Sequence, residues 1–248
     1  MSIIAIIPAR MSSSRFPGKP MKKILNKPMI GHVYERVKNM NLFSDVIVAT
    51  CDTEISNYIH SINGKAIMTK KTHNRAVDRC AEALYKYQKK TKKKVDSIIM
   101  IQGDEPLVNK KMVNIVFGNM KRKKYDCINL YSEIDTKKDF LNEDVIKVII
   151  NNKKNCILMS RKPIPYLKKF DPKVTKKQVC VIGFTTNILK KFYKLKSTFL
   201  EKTESIDMLR FIDNSIEIKM IHTKSKSWAV DRPRDIKIIE KLMKKKNV

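Results

Sequence analysis

The fold class of this chain is decided by residues 3–20, which read Ile3-Ile-Ala-Ile-Ile-Pro-Ala-Arg-Met-Ser-Ser-Ser-Arg-Phe-Pro-Gly-Lys-Pro20. The continuous apolar run Ile3–Ile7 predicts a buried strand. The loop that follows carries three serines, two arginines, a glycine and a lysine. Hydroxyls and backbone N–H groups can donate to phosphate oxygens, and arginine and lysine supply positive charge. The stretch therefore indicates a polyphosphate site, although a solvated loop after an edge strand would have a similar composition.

Strand-like and helix-like segments alternate through the first hundred residues. Apolar runs predict four strands, at residues 3–7, 45–50, 65–68 and 95–101. Helical spacing predicts helices between them, at residues 28–40, 52–61 and 76–89, with Asp52 as the N-cap of the second. Such alternation is typical of an α/β fold whose mostly parallel central sheet has helices on both faces. Loops at the carboxyl ends of parallel strands share one edge of the sheet, where ligands bind.

The pattern changes after about residue 122. Strands are predicted at residues 125–131, 145–150, 178–185 and 215–222, and helices at residues 205–212 and 232–243. We interpret residues 1–248 as a single domain in which residues 125–213 contain an inserted lobe. This lobe is expected to cover the acceptor substrate and to form a subunit interface.

The chain is strongly basic. It has 53 lysines and arginines against 24 aspartates and glutamates, a net charge of +29. A basic nucleic-acid-binding protein is therefore an alternative function. The lysine runs at residues 89–94, 121–124 and 244–246 contain no interleaved aromatic residues, however, which nucleic-acid-binding surfaces use for stacking. We expect surface composition, and not a nucleic-acid partner, to explain the charge.

Cysteine usage and hydropathy exclude further classes of protein. The five cysteines are odd in number, widely spaced and without a Cys-x-x-Cys pair, so we expect neither a disulfide framework nor a zinc site. No apolar run approaches the ~20 residues of a membrane span. The first apolar run fits a strand and not a signal peptide. We expect a cytoplasmic protein that has no membrane partner.

A second informative segment is Ile101-Gln-Gly-Asp-Glu-Pro-Leu107. It places Asp104 directly after an apolar strand, at the edge predicted for the first loop. Mg²⁺ prefers a few carboxylates together with phosphate oxygens and water. Asp104 suits that role, although an aspartate after a strand can also simply cap a turn. We expect Asp231, in Val230-Asp-Arg-Pro-Arg-Asp235, to be the second Mg²⁺ ligand and Asp235 to be a helix-start carboxylate.

Several segments together resemble one enzyme family, the 3-deoxy-manno-octulosonate (Kdo) cytidylyltransferases, or CMP-Kdo synthetases. They occur in the family's order and span nearly the whole chain. These segments are Ile7–Pro20, Asn26–Arg36, Val48–Thr50, Gln102–Pro106, Ser160–Pro165 and Val230–Asp235. The first loop alone would also fit relatives that activate sialic acids.

The resemblance implies a Rossmann-like nucleotidyltransferase fold and a homodimer. It also implies a Mg²⁺-dependent reaction in which CMP is transferred from CTP to the anomeric hydroxyl of Kdo, or of a related 2-keto-3-deoxy sugar acid, and pyrophosphate is released. On this basis Arg10, Ser13, Arg15 and Lys19 would bind the CTP phosphates. The residues expected around the cytosine and ribose are Pro8, Ala9, Arg79 and Gln102. Asp104 and Asp231 would hold Mg²⁺. The catalytic residues would be Lys19, Arg10 and Asp104, with Lys19 stabilising the charge that develops on the α-phosphate.

The chain departs from the family pattern where the acceptor is expected. After the third strand, the family's small Ser-Gly pair is replaced by Arg75-Ala76. The later His-x-Gly segment becomes Cys180–Gly183 without its histidine, and the Glu-Gln-Leu-Arg ending becomes Arg210–Asp213. A different acidic acceptor therefore stays open, because lost hydrogen bonds can change specificity strongly. The acceptor contacts are expected from His73, Arg75, Lys147 and Arg161. A catalytically idle relative that only binds CTP is a further alternative.

Overall fold

A nine-stranded sheet forms the centre of the structure, a computed structural model that describes residues 1–13, 15–226 and 228–245. A separate two-stranded ladder, β2 with β3, lies outside it. The strands are β1 (Ile3–Ala9), β2 (Lys23–Ile24), β3 (Lys27–Pro28), β4 (Asp45–Thr50), β5 (Lys65–Met68), β6 (Ser97–Ile101), β7 (Cys127–Glu133), β8 (Lys147–Ile150), β9 (Cys156–Ser160), β10 (Lys176–Thr185) and β11 (Lys219–His222). The α-helices are α1 (Met29–Lys38), α2 (Thr53–Ser61), α3 (Ala76–Thr91), α4 (Lys110–Lys121), α5 (Lys137–Leu141), α6 (Thr186–Lys194), α7 (Phe199–Glu204), α8 (Leu209–Asp213) and α9 (Pro233–Lys245).

The strand order of the large sheet is β11-β7-β10-β6-β1-β4-β5. Every neighbouring pair along this order is parallel except those of β10, which runs antiparallel to both β6 and β7. The strands β8 and β9 lie off this path, with β8 paired to β10 and β9 to β8. The predicted α/β architecture with a mostly parallel sheet is thereby confirmed. The carboxyl ends of β1 and β6 lie side by side, because these strands pair in parallel.

Both faces of the sheet are buried, because the side chains of β1 alternate between two core clusters. Ile4 and Ile6 belong to the cluster that contains Leu84 of α3. Ile7 belongs to the cluster on the other face, which contains Val33 of α1. All three isoleucines are fully buried, and each such side chain contributes roughly 1.5–3 kcal/mol of hydrophobic stabilisation. This burial holds the end of β1, where the phosphate-type loop begins, in a fixed place.

Some local predictions need correction. The carboxylate of Asp52 precedes α2 but makes no capping hydrogen bond; it accepts a hydrogen bond from the backbone N–H of Met11 instead, at 2.9 Å. The predicted helix over residues 205–212 starts only at Leu209, because Ser205 has a left-handed backbone conformation (φ 54°) that ends α7. Residues 228–231, which contain Asp231, form neither a helix nor a strand.

The range expected to contain an inserted lobe, residues 125–213, also contributes strands to the central sheet. Within residues 125–213, β7 and β10 are neighbours inside that sheet, while β8 and β9 project from it. The sequence pattern did not predict β9, α4, α5, α6 or α7. No helix in the described part of the chain is long and apolar enough to span a membrane.

Candidate active site

A cleft of about 570 Å³ opens at the carboxyl ends of β1 and β6. It contains most of the residues expected from sequence to bind the nucleotide or the acceptor. Those that line it are Pro8, Ala9, Arg10, Ser13, Arg15, Lys19, His73, Arg75, Arg79, Gln102, Asp104 and Arg161. Two expected residues are absent from this lining: Asp231, which lines an adjoining cavity, and Lys147.

The loop after β1 is folded back on itself over the cleft. The N–H of Gly18 donates to the carbonyl of Met11 at 2.9 Å, which closes the loop. Gly18 has a φ of 69°, a left-handed conformation that glycine adopts without strain. It immediately precedes the single 3₁₀ turn Lys19–Met21. Phe16 is buried in a small apolar cluster with Val230, so the loop is also anchored to the segment before α9.

The ammonium group of Lys19 lies at the centre of the site. Its Nζ is 2.6 Å from Oδ2 of Asp104 and donates to the carbonyl of Val230 at 2.8 Å. The N–H of Val230 in turn donates to the carbonyl of Asp104 at 2.9 Å. Lys19 is only 8% exposed, so its charge is held in one position in a partly dehydrated environment. The expected catalytic lysine and the first expected Mg²⁺ ligand are therefore in direct contact.

The second expected Mg²⁺ ligand, Asp231, lies close to the first. Burial raises the pKa of the Asp231 carboxyl and the negative charge of Asp104 raises it further, while Arg15 and Lys19 lower it. One oxygen of Asp231 is 2.9 Å from the guanidinium of Arg15. Two carboxylates that destabilise each other's charge in a cleft provide the hard oxygen ligands a divalent cation prefers.

The described residues contain no group of three or more His, Cys, Asp and Glu side chains arranged to hold a metal ion. A cation bound here would therefore take two carboxylates from the protein and its remaining ligands from phosphate and water. This ligand set is typical of Mg²⁺ in nucleotide enzymes.

Gly103 allows the strand β6 to approach β1 closely beside the cleft. A Cβ atom at this position would lie 2.9 Å from the carbonyl oxygen of Pro8 and 3.2 Å from Ile30. We expect Gly103→Ala to lower the free energy of unfolding by about 1–3 kcal/mol, because the backbone must shift to relieve the overlap. Denaturant titration measures this effect. Gly118→Ala is the matched control, because a Cβ there meets no atom within 4 Å; equal losses in the two variants would contradict the prediction.

Arg79 lies in the cleft wall, and its side chain is already engaged there. Its guanidinium donates to Oγ1 of Thr69 at 2.5 Å and to the carbonyl of His73 at 3.1 Å. The residue is 2% exposed. Arg79 is therefore part of the cleft wall, and its expected place near the base and ribose of a nucleotide stays a prediction.

His73 lies beside Arg79 and is bound to a buried carboxylate. Its Nε2 is 2.5 Å from Oε2 of Glu82, which also accepts a hydrogen bond from the N–H of Lys70 at 2.9 Å. Burial alone would raise the pKa of Glu82. The hydrogen bonds from Lys70, Lys86 and His73 outweigh burial and lower that pKa to about 2. His73 is therefore held in the wall by Glu82, with its expected role towards the acceptor still a prediction.

The low pKa of Glu82 predicts an acid-sensitive contribution to stability. A carboxyl whose pKa falls from 4.5 to about 2 on folding stabilises the native state at any pH well above 4.5, by roughly 3 kcal/mol. This contribution is lost as the pH falls from about 4.5 through 2. We expect Glu82→Gln to be less stable than the unsubstituted protein at pH 6 and to approach it in stability towards pH 2. Denaturation measured across this pH range checks the prediction, and a stability difference independent of pH would contradict it.

Arg75 extends from the start of α3 into the cleft and is fixed by α7. Its guanidinium donates to the carbonyl of Glu201 at 2.9 Å and lies 3.4 Å from that residue's carboxylate. Glu201 is fully buried because Arg210 also pairs with it, at 2.6 Å, and Arg210 holds Asp78 in turn. Arg75, which with Ala76 replaces the family's Ser-Gly pair, is therefore held in place by these contacts and is not a freely moving surface side chain.

The expectation that Lys147 contacts the acceptor is wrong in this structure. Lys147 is fully buried, and its Nζ donates to the carbonyls of Asn142 at 2.9 Å, of Val145 at 2.7 Å and of Arg161. Burial, followed by the charge of Arg161, lowers its pKa to about 8. The lysine stabilises the backbone behind the cleft because three carbonyl groups converge on its ammonium, and it lines neither cavity.

Arg161 remains in the cleft, as expected. Its Nε donates to the carbonyl of Glu204 and its Nη1 to the carbonyl of Glu143, both at 2.9 Å. Burial lowers its pKa. Its Nη2 also donates to the carbonyl of Ser205 at 3.4 Å, so three backbone carbonyls hold the Arg161 guanidinium.

Sequence reasoning missed three carboxylates that line the cleft, Glu143, Asp144 and Asp207. Asp207 accepts a hydrogen bond from the N–H of Val77 at 3.0 Å, and burial raises its pKa. Asp144 bridges Arg15 and Arg232. The only signal for Asp207 was its place in the segment that departs from the family pattern. Asp144 follows Asn142-Glu143 in an ordinary polar turn before β8, and nothing in that turn marks it.

A second cavity of about 580 Å³ adjoins the first. It is lined by Asp231, Gln178 and Cys180 among others. The two cavities share the residues Arg15, Gln102, Asp104, Asp144, Arg161, Ser205 and Asp207. The arrangement offers two adjacent compartments that meet at the carboxylates, whereas His73 and Arg75 line the first compartment only.

Comparison with known proteins agrees with this geometry. Residues 4–221 match the family model described as cytidylyltransferase. The 3-deoxy-manno-octulosonate cytidylyltransferase of Thermodesulfovibrio yellowstonii is 38% identical over 251 residues, which cover 98% of each chain. That of Fusobacterium nucleatum is 34% identical over 249 residues, which cover 100% of this chain and 99% of the relative.

Solved structures show the same likeness. The structure of CMP:2-keto-3-deoxy-manno-octonic acid synthetase complexed with CTP has a TM-score of 0.86 and 29% identity, and the match covers 99% of this chain and 100% of that one. A 4-diphosphocytidyl-2C-methyl-D-erythritol synthase from Anaerococcus prevotii, with a TM-score of 0.64 and 11% identity, shares the fold alone. The chain belongs to the cytidylyltransferase family, and within it to the 3-deoxy-manno-octulosonate cytidylyltransferases.

Proposed function

We propose that this chain transfers CMP from CTP to the anomeric hydroxyl of Kdo, or of a closely related 2-keto-3-deoxy sugar acid, and releases pyrophosphate. The observation that carries the proposal is the convergence of Lys19, Asp104 and Asp231 at the boundary of two adjacent cavities. A transferase for two substrates needs such a boundary, because both must meet at the reacting phosphorus.

The first cavity suits the nucleotide. Its triphosphate would lie along the loop after β1, where Arg10, Ser13, Arg15 and Lys19 provide charge and hydrogen-bond donors. The base and ribose would lie towards Pro8, Ala9, Arg79 and Gln102 at the ends of β1 and β6 and the start of α3.

Asp104 and Asp231 would hold Mg²⁺, which would neutralise charge on the phosphates as the reaction proceeds. Within the protein, Asp104 has a second role, because it fixes the ammonium of Lys19 at 2.6 Å. The acceptor hydroxyl attacks the α-phosphorus and loses its proton, while the bond from this phosphorus to the oxygen of the β-phosphate breaks. Lys19 would stabilise the negative charge that develops on the α-phosphate oxygens.

The acceptor would occupy the second cavity. Arg161 and Asp207 lie at its boundary with the first, where a carboxylate and a hydroxyl of the acceptor can be bound. His73 and Arg75 are further candidates, although they line the nucleotide side only. Of the chain's departures from the family pattern, Cys180 lines this second cavity, whereas Arg75 and Ala76 line the first. A different acidic acceptor is therefore the second candidate function.

The experiment that tests the function measures pyrophosphate release from CTP and Mg²⁺ with Kdo, and then with other 2-keto sugar acids. We expect turnover with Kdo, loss of turnover when EDTA replaces Mg²⁺, and little turnover when UTP replaces CTP. Turnover only with another acid would indicate a changed acceptor site. No release with any acid would contradict the proposal and favour a protein that only binds CTP.

The homodimer is a further proposal. Among the strands of the described residues, β9 pairs only with β8, and Ile157 in β9 is 50% exposed. Tyr166, in the loop after β9, is 85% exposed. Light scattering on the purified protein is expected to give twice the chain mass of 28.9 kDa. A cytoplasmic location and the absence of a nucleic-acid partner stay predictions.

A further inference from the structure

A single carboxylate links two arginines at the mouth of the first cavity. Oδ1 of Asp144 is 2.5 Å from Nη1 of Arg15, and Oδ2 is 2.8 Å from Nε of Arg232. The Asp144 side chain is 12% exposed, whereas those of Arg15 and Arg232 are 36% and 47% exposed. The carboxylate is thus the buried partner, and the two guanidinium groups face the opening.

The three residues come from distant parts of the chain. Arg15 belongs to the loop after β1, Asp144 lies between α5 and β8, and Arg232 immediately precedes α9. Arg15 and Asp144 are 129 positions apart, and Asp144 and Arg232 are 88 apart. All three line the first cavity. Their contacts join the segments that surround the expected triphosphate position.

These arginines belong to a wall where positive charges lie close together. Arg161 lines the same cavity. Burial lowers the pKa of Arg161 most, and the positive charge of Arg15 lowers it further. Guanidinium groups so close together repel each other unless anions lie between them. Asp144 supplies a negative charge to two of them at once. The Asp144 pKa is lowered, because the hydrogen bonds from Arg232 and Arg15 outweigh the effect of burial.

Arg15 has a second carboxylate partner, Asp231, at 2.9 Å. Under the proposed function Asp231 is a Mg²⁺ ligand, so its contact with Arg15 competes with the metal. Asp144 is not an expected metal ligand, and its contact with Arg15 has no such competitor. Asp144 can therefore keep Arg15 in place when Asp231 is engaged elsewhere.

From this geometry we infer that Asp144 is a positioning residue for the substrate triphosphate. It holds Arg15 and Arg232 together at the mouth of the cleft, so that both guanidinium groups can bind the β- and γ-phosphates of CTP. The inference rests on the proposed function, because it assigns a triphosphate to the first cavity. The opposite effect is physically conceivable: an anion in this place could compete with phosphate, so its removal would tighten CTP binding. The sign of the change therefore decides between the two.

The test compares Asp144→Asn with the unsubstituted protein in CTP and CMP binding, measured by calorimetry in EDTA. We expect the Kd for CTP to rise on the order of tenfold, because two arginines lose their common anchor. The Kd for CMP should not change, because CMP lacks the β- and γ-phosphates. With Mg²⁺ and acceptor present, KM for CTP should rise similarly while kcat stays within about threefold.

Further variants separate positioning from folding. Asp144→Glu keeps the charge and should recover part of the CTP affinity. Arg232→Gln removes the contact of Asp144 with its more exposed arginine partner. In the double variant with Asp144→Asn, this substitution should reduce CTP affinity little beyond the loss caused by Asp144→Asn alone. Glu35→Gln is the matched control, because its carboxylate forms a comparably short pair with Lys27, at 2.5 Å, outside the cleft. Its CTP affinity should be unchanged.

Three results for Asp144→Asn would overturn the inference. Tighter CTP binding by Asp144→Asn would identify Asp144 as a competitor of phosphate, and equal losses for CTP and CMP would indicate a structural role. Unchanged CTP binding would show that the bridge does not matter. If the unsubstituted protein binds CTP as expected but turns over no acceptor, the proposed transfer reaction fails and this inference stands. If the unsubstituted protein does not bind CTP at all, both fail.

Discussion

Replacing Lys19 by methionine is expected to reduce kcat for pyrophosphate release by about a thousandfold, the scale associated with removing a preorganised charge from the transition state. The ammonium of Lys19 is 8% exposed and is held by Asp104 at 2.6 Å and the carbonyl of Val230 at 2.8 Å. A charge so fixed does not need to reorganise as negative charge develops on the α-phosphate. Methionine is similar in length but carries no charge, so the loss should appear in kcat more than in KM.

The Lys19→Met variant also leaves Asp104 without its ammonium partner, so folding must be measured alongside activity. Lys22→Met is the matched control, because this exposed lysine lies three positions further on and outside the cleft lining. Its kcat should equal that of the unsubstituted protein. A Lys19→Met variant with unchanged kcat would exclude Lys19 from charge stabilisation. A large loss of melting temperature would instead assign the ammonium a structural role.

Replacing Asp231 by asparagine is expected to give the second largest effect, a loss of about 10²–10³-fold in kcat/KM at low Mg²⁺ that higher Mg²⁺ partly restores. Asparagine has the shape of aspartate but not its charge, so it binds a divalent cation weakly. Burial, and then the negative charge of Asp104, raises the pKa of Asp231, so a bound cation would stabilise the charged form of this carboxyl. A Mg²⁺ titration of activity measures the shift.

Binding provides a second measurement for Asp231→Asn, independent of turnover. Mn²⁺, which can replace Mg²⁺ at oxygen sites, should bind this variant more weakly in the presence of CTP, as followed by electron paramagnetic resonance. Asp213→Asn, an exposed position at the end of α8, is the control for loss of one negative charge and should behave as the unsubstituted protein. An unchanged Mg²⁺ requirement in Asp231→Asn would exclude Asp231 as a metal ligand.

Most of the first half of the fold could be predicted from sequence, because its signals are local. The apolar runs of β1, β4 and β6 are short and continuous, and the helices between them repeat their apolar residues with helical spacing. Prediction was poorer after residue 122. The strand β9, which the sequence pattern did not predict, has a mixed burial pattern, so no clear period marks its residues.

The candidate site divides in the same way. Lys19 comes at the end of the loop after β1, and Asp104 follows β6. Because these two strands pair in parallel, the meeting of the two side chains at one edge of the sheet follows from the fold class. Lys147 shows the limit of this reasoning. A lysine at the start of a strand looks like a surface cation, and only the convergence of three carbonyl groups around its ammonium shows that it is buried.

The sequence by itself determined the α/β class, the loop after β1 and the two candidate metal ligands Asp104 and Asp231. Short-range periodicity and residue type decide these features. Only the tertiary structure decided which charges meet. The pairing of Arg15 with Asp144 and Asp231, the burial of Lys147, and the place of Asp207 between two cavities all depend on how long loops return to one edge of the sheet. Residues more than a hundred positions apart are brought together there by packing of the whole core, and no local pattern encodes such contacts.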